Sequence, residues 1–232
     1  MTLRRVVLVV AAVVVVIAAA GYAYYANFSP EGSHYPVRGI DVSHHQGPID
    51  WDRVARSGIA FAFLKATEGG THVDEDFREN FESARKAGIA VGAYHFFTFC
   101  KTGAEQAANF IAVVPHESGT LPPVVDIEFG GNCATRPTLE AFAKELGDFL
   151  TEVEQGFGQP AIVYIAGDAV GAYSSAVPVR ARWVRSIVWP PFGQDWLIWQ
   201  YHNAGHVDGI DGIVDLNVLQ GDRQTLATLL KP

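Results

Sequence analysis

The stretch LPPVVDIEFGG, residues 121–131, decides the fold prediction because an apolar run ends in two acids and a pair of glycines. A short apolar run bounded by turn residues is typical of a buried strand. Alternate side chains of a strand share a face, so Asp126 and Glu128 lie on one face while Val125 and Ile127 lie on the other. The two acids are therefore expected to point away from the aliphatic face, at the C-terminal end of a core strand.

The same strand pattern alternates with helical periodicity along most of the chain. Strands are predicted at 37–43, 59–67, 89–97, 122–128 and 161–166, with helical segments at 50–58, 74–88, 103–114 and 138–156 and a weaker one after 166. Further strands at 181–187, 195–201 and 212–219 follow without helices between them. Strand–helix alternation predicts parallel strands wrapped by helices. The predicted fold class is α/β: a modified TIM-like barrel of five βα units plus three strands lacking helices, with some late strands antiparallel because their links are short and broken.

Acids fall at the same place on two other predicted strands. Asp41 faces away from Ile40 and Val42, and Asp215 shares a strand face with Asn217. In α/β barrels the C-terminal ends of the strands carry the chemistry. Carboxylates crowded into a partly desolvated mouth raise the pKa of at least one of them, so one carboxyl holds a proton near neutral pH. A protonated acid beside an ionised partner is what cleavage of a glycosidic bond requires.

The N-terminus is predicted to be a membrane-targeting segment. Arg4 and Arg5 precede an uncharged apolar run at residues 6–26, and no acid occurs before Glu31. The run is long enough to span about 30 Å of hydrocarbon, and the arginines would stay on the cytoplasmic side. A buried core helix is a poor alternative, because Val and Ala fill all faces of the run and leave no polar stripe.

This segment sets the domain organisation. Residues 1–26 are predicted to be a signal peptide or membrane anchor, 27–36 a polar linker, and 37–232 a catalytic barrel. The alanines at 18–20 fit a signal cleavage site, so a cleaved signal and a retained anchor through 4–26 are both open, and we favour the anchor. Both place the barrel outside the cytoplasm, either facing the periplasm or cell exterior or secreted.

The composition argues against a nucleic-acid partner and suggests a disulfide. The chain has 17 basic and 25 acidic residues and no basic run, so we expect no nucleic-acid partner. Cys100 and Cys133 are an even pair in an exported protein, which suggests a disulfide worth roughly 3–4 kcal/mol; the alternative is two separate buried thiols. No Cys-x-x-Cys motif accompanies them, and the adjacent His44 and His45 would point apart on a strand, so we expect no metal and no cofactor.

Seven short segments occur in order and together carry a resemblance. They are GIDVSHHQGPIDW, FLKATEGG, GAYHFF, EQAANFI, LPPVVDIE, WQY and GIVDLNVL, spread over residues 37–221. The ordered set resembles the family 25 glycoside hydrolases, the muramidase-type lysozymes. The resemblance implies a lysozyme (N-acetylmuramidase) barrel that cleaves the β-1,4 bond between N-acetylmuramic acid and N-acetylglucosamine in peptidoglycan glycan strands. We expect the enzyme to act as a monomer.

The resemblance also implies residue roles. Glu128 matches the family's general acid and Asp126 its partner carboxylate, while Asp41 and Asp215 match two further acids of the cleft. Retention of the anomeric configuration is implied, either by direct attack of Asp126 or by help from the substrate's own acetamido group. Substrate-binding residues are expected among the polar side chains of the other strands, namely Tyr94, Tyr164, Gln200 and Lys65, with Lys65 in an ion pair with Glu68.

One stretch departs from the family pattern. Residues 181–196 lack the usual Trp-x-Ala-x-Tyr sequence, with Trp183 in the Trp place and Arg185 where Ala is expected. Details of substrate binding are therefore open. Two alternatives to a muramidase remain: a non-catalytic glycan-binding module on the same barrel, and a glycosidase acting on a chitin-like polymer.

Overall fold

The computed structural model describes residues 2–193 and 195–230 and contains a closed barrel. The last two residues of the predicted barrel range, 231–232, lie outside the described part. The strands are β1 Arg38–Val42, β2 Ile59–Glu68, β3 His72–Val73, β4 Ala90–Phe96, β5 Val124–Ile127, β6 Ile162–Ile165, β7 Ala181–Arg185, β8 Ile198–Gly205 and β9 Val214–Leu219. The helices are α1 Leu3–Asn27, α2 Trp51–Arg56, α3 Phe77–Lys86, α4 Gly103–Val113, α5 Leu139–Phe157, α6 Gly167–Tyr173 and α7 Arg223–Leu229.

The strand order confirms the predicted barrel. The sheet runs β1-β9-β8-β7-β6-β5-β4-β2, and β1 pairs with β2 to close it. Neighbours are parallel except β9, which is antiparallel to both β8 and β1. The expected antiparallel late strand is therefore β9, whereas β8 stays parallel to β7 across the link 186–197, whose described residues form no helix. The structure adds the short β3, antiparallel to the end of β2, and the helix α7 after β9.

Local sequence signals set the ends of the first helices. The Asp50 carboxylate accepts the backbone N–H of Arg53 at 3.0 Å and so begins α2. Gly58 and Gly88 follow α2 and α3 with φ of +85° and +83°, a backbone region that favours glycine. Each helix thus stops where the next barrel strand has to start.

Two phenylalanines close the bottom of the barrel. Phe61 and Phe63 lie on β2 inside the barrel and are almost fully buried. Gly39 and Gly92 leave room for their rings, since a Cβ at either glycine would lie 2.3 Å from the nearest ring atom. The interior is therefore a packed core below, and space for a ligand lies only towards the C-terminal ends of the strands.

Helix α1 contacts the barrel through its last turn. It has 25 residues, its 18-residue apolar stretch has a mean hydropathy of 2.8, and it could cross a membrane by length and composition. Phe28 and Tyr35, in the segment predicted as a polar linker, pack on the outer aromatic cluster around Trp199. The segment therefore lies against the barrel instead of spanning open solvent, because its two aromatic side chains bury apolar surface there.

Candidate active site

A cavity of about 310 Å³ opens at the mouth of the barrel. It is lined by residues from most of the strands: Asp41, Tyr94, Val124, Asp126, Glu128, Tyr164, Trp183, Arg185, Gln200, Asn203 and Asp215. The four acids expected from the sequence are all among them. The alternation rule that placed them inward is confirmed, because Val125 and Ile127 belong to the core between sheet and helices while Val124 faces the interior.

Glu128, the first residue after β5, has the properties of an acid that keeps its proton. Burial, followed by the negative charge of Asp168, raises its pKa from 4.5 to about 6, while Arg185 partly opposes the rise. The Glu128 carboxyl is still reachable from the cavity that it lines. A carboxyl with this pKa is protonated in mildly acidic solution and available for general acid catalysis.

Asp126 lies two residues earlier on the same face. Burial, then the charge of Glu128, raises its pKa well above the usual range, and Lys65 opposes this. In the part of the chain that the structure describes, its buried Oδ1 atom has no hydrogen-bond partner. A buried acceptor is costly to leave unpaired, so this oxygen is suited to an N–H donor or an electrophilic carbon of a bound ligand.

Asp41 and Asp215 form a second carboxyl pair directly opposite each other on β1 and β9. Burial and the neighbouring Asp215 charge raise the pKa of Asp41 well above its ordinary value. Asn217 donates its Nδ2 to Asp41 Oδ2 at 2.7 Å. Two adjacent carboxyls that share one proton have a lower combined charge than two separate carboxylates.

Further hydrogen bonds fix the walls of the cavity. Trp183 Nε1 donates to Asn217 Oδ1 at 2.9 Å, and the Tyr164 hydroxyl donates to Gln200 Oε1 at 3.0 Å. Burial raises the pKa of the Tyr94 and Tyr164 hydroxyls well above 10, so both keep their protons. These neutral groups hold the carboxyl positions rigidly and offer hydrogen bonds to a sugar.

Asn132 holds the loop that follows Glu128. Its Nδ2 donates to the carbonyls of Phe97 at 2.8 Å and Glu128 at 3.0 Å, and its Oδ1 accepts the backbone N–H of Phe99 at 3.0 Å. The loops after β4 and β5 are therefore joined by one side chain. The backbone that carries the acid is consequently fixed from outside the cavity.

Lys65 does not line the cavity, unlike the other expected binding residues. Its Nζ is 2.7 Å from Glu68 Oε2, so the expected ion pair is present, and it lies 5.0 Å from the centre of the Phe96 ring. Lys65 acts on the site through its charge, which lowers the pKa of Asp126 and Glu128. The prediction that Lys65 contacts sugar stays a prediction.

The His44 side chain contacts a carboxylate of the same chain. Its Nδ1 lies 2.7 Å from the buried carboxylate of Asp74, which also accepts the His44 backbone N–H at 3.0 Å. Within residues 2–193 and 195–230, no group of three or more His, Cys, Asp or Glu side chains is arranged to hold a metal ion.

Trp199 is fully buried in the outer core, next to the cavity-lining Gln200. Four cavity-lining residues were not among the predicted site residues, namely Val124, Trp183, Arg185 and Asn203. Arg185 was noted only as a departure from the family pattern, and Asn203 carries no sequence signal because it lies beyond the predicted end of β8. The position of Arg185 could have been found from alternation, since it is two residues after the inward Trp183.

The cysteines are free thiols in this structure. Interaction with Cys133 is the main cause of a raised pKa at the Cys100 thiol. The loops that carry them are the two joined by Asn132. The disulfide itself stays a prediction.

The fold and the site together define a barrel glycoside hydrolase, because buried carboxyls with raised pKa converge on an open mouth. The sequence model of glycosyl hydrolases family 25 matches residues 40–210. The chain belongs to this family, as the ordered motifs indicated, and is a glycoside hydrolase of the muramidase type.

Individual relatives agree with this assignment. A family 25 glycosyl hydrolase structure from Bacillus anthracis is 38% identical and has a TM-score of 0.78, covering 84% of this chain and 93% of that one. A bacterial lysozyme structure from Streptomyces coelicolor is 31% identical with a TM-score of 0.74, covering 83% and 96%. Lysozyme M1 of Streptomyces globisporus is 33% identical over 209 residues, which cover 83% of this chain and 72% of that protein.

Proposed function

We propose that the chain hydrolyses the β-1,4 bond between N-acetylmuramic acid and N-acetylglucosamine in peptidoglycan, with Glu128 as general acid and Asp126 as partner carboxylate. The observation that carries this proposal is the buried Glu128 carboxyl, whose pKa is raised to about 6 at the open mouth of the barrel. Similarity to proteins named lysozyme supports the choice of substrate.

Each acid has a distinct role in the proposed reaction. Glu128 donates its proton to the glycosidic oxygen as the bond to the anomeric carbon breaks, and later takes a proton from the attacking water. Asp126 stabilises the positive anomeric centre. Its unpaired Oδ1 suits either direct attack on that carbon or acceptance of a hydrogen bond from the acetamido N–H, so both retaining routes stay open.

The remaining groups of the cavity support these two. The raised pKa of Asp41 favours its neutral form, which limits the negative charge near Asp126. Tyr94, Tyr164 and Gln200 line the same space and offer hydroxyl and amide groups to the sugar.

The test compares wild type with Glu128→Gln on purified peptidoglycan. Wild type should release reducing ends, and mass spectrometry should find muramic acid at each new reducing end. Glu128→Gln keeps the shape of the side chain and should lose most turnover while its thermal midpoint is equal to or above that of wild type. Glucosamine at the new ends would instead support a different glycosidase, and binding of saccharide with no turnover by wild type would support a glycan-binding module.

We also propose that α1 stays in the cytoplasmic membrane and holds the barrel on its outer side. An apolar 25-residue helix with Arg4 and Arg5 at its start supports this orientation. Membrane fractionation followed by N-terminal sequencing tests it. A soluble product that begins after residues 18–20 would show a cleaved signal instead.

The neighbouring thiols support a disulfide in the oxidising exterior. The bond between Cys100 and Cys133 would fasten the two loops that Asn132 already joins. Non-reducing peptide mapping of exported protein should find the two cysteines in one linked pair. Two alkylatable thiols in that material would contradict the proposal.

A further inference from the structure

Arg185 places a positive charge at the open end of the cavity. On β7 the side chains alternate, with Trp183 inside the barrel and Val184 packed on the outer core. Arg185 pairs with Gln200 of β8 and lines the cavity, but it is exposed while Trp183 is buried. Trp183 therefore forms the deeper wall, and the guanidinium lies where a ligand enters.

The guanidinium is also unpaired among the described residues, in contrast to the cations of Lys65 and Arg180. Lys65 contacts Glu68, and Arg180 makes a two-point contact with Glu154 at 2.6 and 2.9 Å. Within the described residues no hydrogen bond or ion pair joins the Arg185 side chain to the protein, although four carboxyls line the same cavity. Its five N–H donors are therefore available to a group that comes from outside.

The surrounding charges define the chemistry of that group. Among the described residues lining the cavity, Arg185 is the one cation beside four acids. An anionic substituent is repelled everywhere in such a cavity except at the guanidinium. A planar carboxylate matches the guanidinium fork in two hydrogen bonds.

We propose that Arg185 is a specificity-determining residue that binds a carboxylate carried by the muramic acid unit of the substrate; this rests on the proposed function. N-acetylmuramic acid differs from N-acetylglucosamine by a lactyl ether that ends in a carboxyl. In strands without peptide this carboxylate is free, and in peptide-bearing strands the free carboxylates belong to the attached peptide. Arg185 selects strands with either carboxylate over a neutral chitin-like polymer, because a polymer without an acid leaves the guanidinium unpaired.

A purely electrostatic role makes a different prediction. The Arg185 charge lowers the pKa of Glu128 and Asp215, so its removal alters the pH profile with every substrate alike. Recognition of a carboxylate changes the ratio between acidic and neutral substrates at one pH. That ratio separates the two roles.

The experiment measures kcat and KM for wild type, Arg185→Gln, Arg185→Lys and Arg182→Gln. The substrates are peptide-free glycan strands, the same strands with the lactyl carboxyl converted to a methylamide, peptide-bearing peptidoglycan, and chito-oligosaccharide. Arg182 is the matched control, since it lies on the same strand but outside the cavity lining. Thermal midpoints of all variants show that the folds are comparable.

With Arg185→Gln, kcat/KM on strands that carry the recognised carboxylate should fall about 10–100-fold, mainly through KM. On methylamide strands and chito-oligosaccharide the fall in kcat/KM should be about threefold or less. The kcat/KM of Arg185→Lys should lie between those of wild type and Arg185→Gln, and that of Arg182→Gln should match wild type on every substrate. A selective loss on peptide-free strands identifies the lactyl carboxylate, and one on peptide-bearing material identifies the peptide. Equal losses on acid and methylamide strands, with none specific to peptide-bearing material, overturn the proposal. A wild type that cleaves none of the glycans overturns the proposed function itself.

Discussion

The pH dependence of turnover tests whether Glu128 supplies the proton. A pKa of about 6 instead of 4.5 corresponds to about 2 kcal/mol of added preference for the protonated form, produced mainly by burial. The protonated fraction is then about 90% at pH 5, about 50% at pH 6 and about 1% at pH 8. On the alkaline side kcat/KM should follow this fraction and fall about 90-fold between pH 5 and pH 8, because kcat/KM reports groups of the free enzyme.

The interval from pH 5 to pH 6 distinguishes a raised pKa of Glu128 from an ordinary glutamate pKa most sharply. A pKa of about 6 gives a decrease of less than about twofold there, whereas an ordinary glutamate pKa gives about eightfold. Initial rates of reducing-end release from peptidoglycan, measured at constant ionic strength from pH 4 to pH 9, provide the profile. Glu128→Gln should lower turnover by about 10²–10⁴-fold and remove the alkaline decrease. An eightfold drop between pH 5 and pH 6, or a profile that stays flat to pH 8, would refute the assignment of the acid.

Three further changes probe the same site and the barrel below it. Asp168→Asn removes a charge that raises the pKa of Glu128, so the alkaline limb of kcat/KM should move to lower pH. Asp126→Asn should abolish most activity, yet it should raise the thermal midpoint at pH 7 and leave it unchanged at pH 3.5. The reason is that the pKa of Asp126 is raised in the folded protein, so its ionised form is costly and stability falls as the pH rises through that pKa. Each kcal/mol that is relieved raises the midpoint by about 2–4 °C. Gly92→Ala should lower the free energy of unfolding by about 1–3 kcal/mol in urea denaturation, because its Cβ would meet the Phe63 ring.

Two control variants change exposed or open positions. Glu140→Gln neutralises an exposed acid in the first turn of α5 and should leave the pH profile as in wild type. Gly147→Ala adds a Cβ where nothing lies within 4 Å, so it should be neutral or stabilising. The role inferred for Asp168 is wrong if the alkaline limb of kcat/KM does not move in Asp168→Asn. The cost inferred for ionised Asp126 is wrong if Asp126→Asn raises the thermal midpoint equally at pH 7 and pH 3.5. The close packing inferred at Gly92 is wrong if the urea midpoint of Gly92→Ala is unchanged.

Periodicity alone predicts the barrel and the inward acids. Strand alternation at 124–128 separates Asp126 and Glu128 from the aliphatic face, and the burial of Val125 and Ile127 agrees. Parallel order follows from helices between strands, but β8 has no preceding helix, so its direction depends on tertiary packing of the link 186–197. Helix α7 is short, and its capping box at Asp222 marks its start better than any periodicity.

Parts of the site depend on contacts in the folded protein that the spacing of residues in the sequence does not predict. The opposition of Asp41 and Asp215 arises from the antiparallel register of β1 with β9, elements 174 positions apart in the chain. Lys65 pairs with Glu68 and is not among the cavity-lining residues. Asn203 enters the lining because β8 extends to Gly205, further than its apolar run indicates.

The end of α1 determines where the enzyme can work. The Tyr25 hydroxyl donates to Asn203 Oδ1 at 3.0 Å, and His202 bonds the Tyr25 carbonyl at 2.9 Å, so the last turn is fastened to a residue of the cleft wall. Tyr25 is about 6 Å along the helix axis from Gly21. If α1 is retained in the lipid bilayer, as proposed above, this contact holds the cavity at one height close to the headgroups and restricts the enzyme to the layer of the wall nearest the membrane.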